Sequence, residues 1–529
     1  MPSSSNLRTP ERLAMSRRRL LAAIGAGGAL LAVPACRSAA DEGATTSGTA
    51  AAKGGTLKIA QTADIAPATL FGQNNPNFTV ARTVFNTLTE YDHKTLEPKP
   101  SLAESWTEAK DGRSITLKLR EGVTFHSGRA FTSADVAFAI ENLKKDTTAS
   151  QLKHVALAIE KIDETDAHTI TLHLAHPVSN LFDLFEILLI VDKESIDELL
   201  KGTKIIGTGP FEVADYTPGT GFELKRNDAY WKKGAPLLDA IEVSVVSQSA
   251  SMVSGLRSGG THLLVDVAPL DAASVKNDAR FEVTVSDAHD SGFYVASNVK
   301  VKPLDDKRVR QAVAWAVDRE RILSQVLGSI GTVTSLPWAT SSPAYDRTKA
   351  AHYSRDLKKA KALIEAAGAQ GESVKVVYNA GLATNAKIAE IVQYDLTELG
   401  LDAKAEPLQA ADFLAQLQAG ELPGLFINGH GFGQLHPATL VKGAFPFNAE
   451  KNASNFDSDA YRTLADQLWK ATEEAEAKQA ADALNDLLLE EQFVSDLVAS
   501  SHTYTRSKKV QGLNWTMYDY LDLDQTSIG

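Results

Sequence analysis

Residues 115–143, ITLKLREGVTFHSGRAFTSADVAFAIENL, limit the fold of this chain more than any other stretch. Ile115, Leu117 and Leu119 alternate with Thr116, Lys118 and Arg120, the period of a strand with one face buried. Gly122 and Gly128 then place turn signals around residues 123–126, so a short second strand or tight loop follows. Thr132 and Asp135 have the spacing of a capping box, and Val136, Ile140 and Leu143 put an apolar stripe on the helix it opens. The unit is α/β and carries no chemistry of its own.

At 529 residues the chain is too long for one core and predicts two or three domains. Hydrophobic residues make up 43%, enough for compact structure after residue 53. With 54 Lys and Arg against 66 acids the net charge is −12, which argues against nucleic acid or an anionic membrane surface as partner. The single cysteine, Cys36, excludes a disulfide framework and any CxxC site. Residues 1–35 carry Arg8, Arg12 and Arg17 to Arg19 ahead of an apolar run at 20–33, the pattern of a secretory signal and too short to span a membrane as a mature helix. SRRRLL, with Arg17 and Arg18, resembles a twin-arginine export signal, and VPAC at 33–36 resembles a bacterial lipobox that would leave Cys36 lipidated. Residues 36–53, rich in Ala, Ser, Thr and Gly, read as a flexible tether.

LKLREGV at 117–123, FHSG at 125–128 and TSADV at 132–136 closely resemble the signature segment of the extracellular solute-binding proteins of family 5, the peptide and nickel binders that serve ABC importers. GGTL at 54–57, PSLAESW at 100–106, GTGPF at 207–211 with LKRNDAYW at 224–231, and DKRVRQA with AVDRERI at 306–322 extend the likeness. The resemblance implies an α/β, two-lobed periplasmic-binding-protein-like fold (class II, cluster C) with an extra domain inserted in the first lobe. Residues 54–88, 207–285 and 498–529 would form lobe I, 89–206 the additional domain and 286–497 lobe II. It also implies no enzyme activity, no cofactor, and capture of a peptide-like or other small polar organic solute by lobe closure. Expected partners are that solute, the permease and ATPase of an ABC importer, and the membrane through a lipid at Cys36. The expected protein is an exported monomer on the outer face of the cytoplasmic membrane. Nickel-chelate binding within the same family, an exported hydrolase and a non-transport surface receptor remain alternatives.

Enzyme motifs are missing in context: the sequence holds no HExxH, no GxSxG and no P-loop, and Pro210 removes a donor from the loop of Gly207 and Gly209. The informative stretch is 425–447, LFINGHGFGQLHPATLVKGAFPF. Where the family holds an aspartate four residues before a proline, which receives the free amine of a bound peptide, this chain has Gly433. A buried ammonium without a paired carboxylate costs several kcal/mol. Asn428, His430, Gln434 and His436 instead offer neutral donors and acceptors beside Phe432, which suits hydroxyl-rich, amide-rich or N-blocked ligands. Trp338 is a further candidate cleft aromatic, and no metal site is expected.

Overall fold

Ile115, Leu117 and Leu119 turn their side chains into the core of a four-stranded antiparallel sheet ordered Ala103–Glu108, Ser114–Leu119, Thr169–Leu174, Ile159–Asp166. This is a computed structural model, and it describes residues 53–72, 77–92, 95–148, 150–286, 291–431, 433 and 435–529. Arg17, Arg18, Cys36, most of the tether, Phe432 and Gln434 lie outside the described residues.

The helix Ser133–Lys144 opens as its capping box requires, with the Thr132 N–H donated to Asp135 Oδ2 at 3.0 Å. Asp135 is fully buried and grips Arg129 through both oxygens, at 3.1 and 2.5 Å. Arg129 in turn bonds Asp192 at 2.9 Å and lies over the Phe125 ring at 4.5 Å. His126 locks this turn to the GTGPF loop: Nδ1 accepts from Gly207 N–H at 3.3 Å, and Nε2 stands 3.0 Å from Gly209 O. Both glycines are required by close approach, since a Cβ on Gly207 would stand 2.0 Å from Val84 O and one on Gly209 2.5 Å from Val84 C.

Two larger sheets complete the fold. The first has seven strands, ordered Phe281–Val285, Thr503–Ser507, Leu263–Val265, Thr56–Gln61, Ala240–Val245, Gly221–Arg226, Phe211–Thr217, with Thr56–Gln61 parallel to both its neighbours. The second has six, ordered Thr332–Val333, Val494–Ser500, Ser291–Ser297, Leu425–His430, Ser373–Asn379, Asp402–Leu408. The first sheet's strand ends at Val285 and the second sheet's begins at Ser291, the chain returns at Ser501 and His502, and Ser286 N–H donates to His502 O at 2.9 Å. The described end of the outward passage, Ser286, therefore lies beside the return at His502, as at a hinge.

One face of the six-stranded sheet packs Val295, Val374, Val376, Leu425 and Ile427 against the helices Lys307–Ala316, Leu357–Ala367 and Ala383–Leu399. The opposite face turns Tyr294, Ala296, Val377 and Phe426 toward the rest of the molecule. The apolar stripe through Val309 and Leu323 predicts one helix, and the structure has two, Lys307–Ala316 and Arg319–Gln325. Asp318 breaks the run by capping the second, its side chain accepting from Arg321 N–H at 2.9 Å.

Candidate functional site

A cavity of about 770 Å³ lies between the two large sheets. Thr62, Ala63 and Asp266 to Pro269 line it just past the carboxyl ends of the parallel strands Thr56–Gln61 and Leu263–Val265, the place where open α/β sheets hold ligands. Gly292 to Tyr294 and Asn428 to Gly431 line it from the second sheet, Asn385 lines it from the helix Ala383–Leu399, and Phe78, Phe445, Tyr518 and Tyr520 add aromatic surface. No lysine or arginine is among the described lining residues, and Asp266 is the one carboxylate. That carboxylate is already engaged, its Oδ1 3.0 Å from His502 Nδ1.

Strand register builds the floor on the second sheet. Tyr294 stands opposite Asn428 on one side and Asp496 on the other, so the three form one row across three strands. His430 lies next along, opposite Gly292. A Cβ at 292 would come within 2.4 Å of His430 Nε2, so the glycine makes room for the imidazole. The ring sits between Tyr294, with centroids 6.1 Å apart, and Phe447, with centroids 5.3 Å apart and planes at 81°. Nε2 is 3.7 Å from Asp496 Oδ1, too long for a hydrogen bond.

Both ring nitrogens of His430, Tyr294 Oη and Asp496 Oδ1 are buried with no hydrogen-bond partner among the described residues. Tyr294 Oη faces the Asn428 amide without closing a bond on it. Burial raises the Asp496 carboxyl above its ordinary range, and it raises the Tyr294 phenol too. Each buried group left unpaired costs about 1–3 kcal/mol, so four on three adjoining side chains is a concentrated expense of stability.

Comparison with known proteins matches residues 97–447 to the family model for bacterial extracellular solute-binding proteins, family 5 Middle. The chain belongs to that family. This solute-binding protein is 27% identical over 499 residues to the di/tripeptide-binding protein 1 of Pseudomonas aeruginosa, covering 85% of this chain and 89% of that one. Its fold is the two-lobed one of the periplasmic binding protein AgaA from A. tumefaciens R10, solved with agropinic acid, at a TM-score of 0.80 and 24% identity over 90% of this chain and 99% of that one. The ABC transporter-associated periplasmic binding protein DppA of Helicobacter pylori, solved with the peptide STSA, aligns with a TM-score of 0.77 and 22% identity, covering 90% of this chain and 99% of that one.

Of the residues singled out in the sequence, the solute-binding protein brings Asn428 and His430 to its cleft. Trp338 is not there, which corrects the expectation for it: it is fully buried and donates its indole N–H to Asn485 Oδ1 at 2.6 Å. His436 is also displaced from the cleft. Its Nδ1 accepts from Ala438 N–H at 3.2 Å and caps the helix Pro437–Gly443, and burial pushes its pKa down to about 4. Its own N–H donates to Asp183 Oδ2 at 3.1 Å, on the helix Leu181–Ile187. Asp183 also accepts from Thr439 Oγ1 and from Tyr91 Oη, yet burial outweighs these bonds and lifts its pKa to about 7.

Gly433 packs against residues 337–339, where a Cβ would lie 2.6 Å from Pro337 O and its own carbonyl accepts from Ala339 N–H at 2.9 Å. No side chain fits at 433 on this backbone, let alone a carboxylate aimed at a ligand. Sequence reasoning missed Tyr294, Asp496, Asp266 and His502, because cross-strand register between segments far apart in the chain is what places them.

Proposed function

We propose that this solute-binding protein is the receptor of an ABC importer, taking a peptide-like or other small polar organic solute between its lobes and handing it to the permease unaltered. The observation that carries this reading is the cavity of about 770 Å³ between two sheets, with Ser286 at the end of one bonded to His502 where the chain returns. Its size falls within the range of about 300–1,000 Å³ usual for small-molecule sites. The relative from Pseudomonas aeruginosa, named for di- and tripeptides, supports a peptide-like ligand.

Closure needs a ligand that contacts both walls better than either alone. The lobes we assign are 54–88 with 207–285 and 498–529, and 286–497, with 89–206 as the additional domain. Export through Arg17 and Arg18 and a lipid on Cys36 would keep a monomer on the outer face of the cytoplasmic membrane, within reach of the permease. A thermal-shift panel of peptides, N-acylated peptides, oligosaccharides, opine-like compounds and nickel chelates tests the reading. A ligand at 100 times its Kd adds about 2.7 kcal/mol and raises Tm. Failure of the whole panel to move Tm, or steady turnover of any member, contradicts it.

A further inference from the structure

We propose that His430, Tyr294 and Asn428, with Asp496 behind them, form the specificity-determining floor of the cleft, and that it reads a neutral amide of the ligand in preference to a free ammonium. The inference rests on the solute-binding reading above and names the chemistry of that site.

Three observations converge on it. His430, Tyr294 and Asp496 hold four buried polar atoms without partners among the described residues, and the first two side chains line the cavity. Native cores rarely leave such groups unpaired unless something else satisfies them. The imidazole is nine-tenths buried, fixed between two aromatic rings over Gly292.

The donor set is also neutral in kind. A neutral imidazole presents one donor and one acceptor nitrogen, a phenol one donor and two lone pairs, and a primary amide both functions. Together they match an N–H and C=O pair, the polar content of an amide. Charge is not served by the same floor. Gly433, which the sequence resemblance sets at the position of an amine-binding acid, admits no side chain; among the described residues the one carboxylate lining the cleft, Asp266, is bonded to His502, and Asp496 stands behind the lining. No described cation lines the cleft to receive a ligand carboxylate.

The test is titration calorimetry of the full mature chain with N-acetylated dipeptide amides and with the same dipeptides carrying free amines, alongside melting curves without ligand. Wild type is expected to bind the acetylated probes at least tenfold tighter. His430→Phe is expected to weaken them at least tenfold while leaving the ligand-free Tm unchanged or raised, because it removes two unpaired nitrogens. His430→Gln, which keeps a donor and an acceptor, is expected to retain part of the affinity. Equal or tighter binding of free dipeptides overturns the inference. So does a His430→Phe protein that melts lower but binds as well as wild type. Wild type that ignores every dipeptide probe but is stabilised by another solute of the panel overturns the amide reading alone, whereas stabilisation by no solute at all removes the solute-binding reading with it.

Discussion

The turn at 125–136 and the floor at 292–296 and 428–430 are both polar insertions in apolar surroundings, and they are built oppositely. In the turn, Asp135 and Asp192 share Arg129, Ser127 donates to Asp192 at 2.8 Å, and His126 is bonded through both nitrogens to the GTGPF loop. In the floor, His430, Tyr294 and Asp496 are more deeply buried and leave four polar atoms without hydrogen-bond partners among the described residues. Saturated networks hold a fold, and unsaturated ones beside a cavity wait for a ligand. The family signature belongs to the first kind, which explains how it identifies the scaffold and says nothing of the solute.

The contrast breaks most readily on the scaffold side. Gly207→Val drives a side chain into the Val84 carbonyl and is expected to cost about 3 kcal/mol or more, or to abolish folding, read by urea denaturation. Asp135→Ala leaves Arg129 with Asp192 and the more distant Glu194 and opens the capping box, an expected loss of about 2–3 kcal/mol by the same measurement.

A smaller effect sharpens the comparison through pH. The Asp183 carboxyl, lifted to about 7 by burial against an unfolded value near 3.8, binds its proton more tightly in the native state. Its contribution is therefore fully present below about pH 4 and is lost as pH rises through 7. Wild type is expected to lose stability relative to Asp183→Asn between pH 5 and pH 8, by a few kcal/mol at most. Melting curves of the pair across that range check it, and a gap that widens in favour of wild type at high pH has the wrong sign. The smallest expected effect lies in the floor, where His430→Phe should leave the ligand-free Tm within a degree or two of wild type or above it.

Local pattern carried the scaffold: the alternation of Ile115, Leu117 and Leu119, the box at Thr132 and Asp135, and Gly368 ending the helix Leu357–Ala367 in a left-handed conformation all follow from nearest neighbours in sequence. The cleft lining was legible only where a single strand carried it, as with Asn428 and His430. Trp338 and His436 misled because nothing local in the sequence says which way an aromatic or an imidazole faces. Asn485, which fixes Trp338, and Asp183, which accepts from His436 N–H, are far off in the chain. The Asn428, Tyr294, Asp496 row required strand registers that no local pattern encodes.

Small-angle scattering of the full mature chain, with and without the solute that most raises its Tm, tests the central claim most directly. Closure of two lobes about the bonded pair Ser286 and His502 predicts a smaller radius of gyration in the bound state. An unchanged radius at saturating ligand would contradict it.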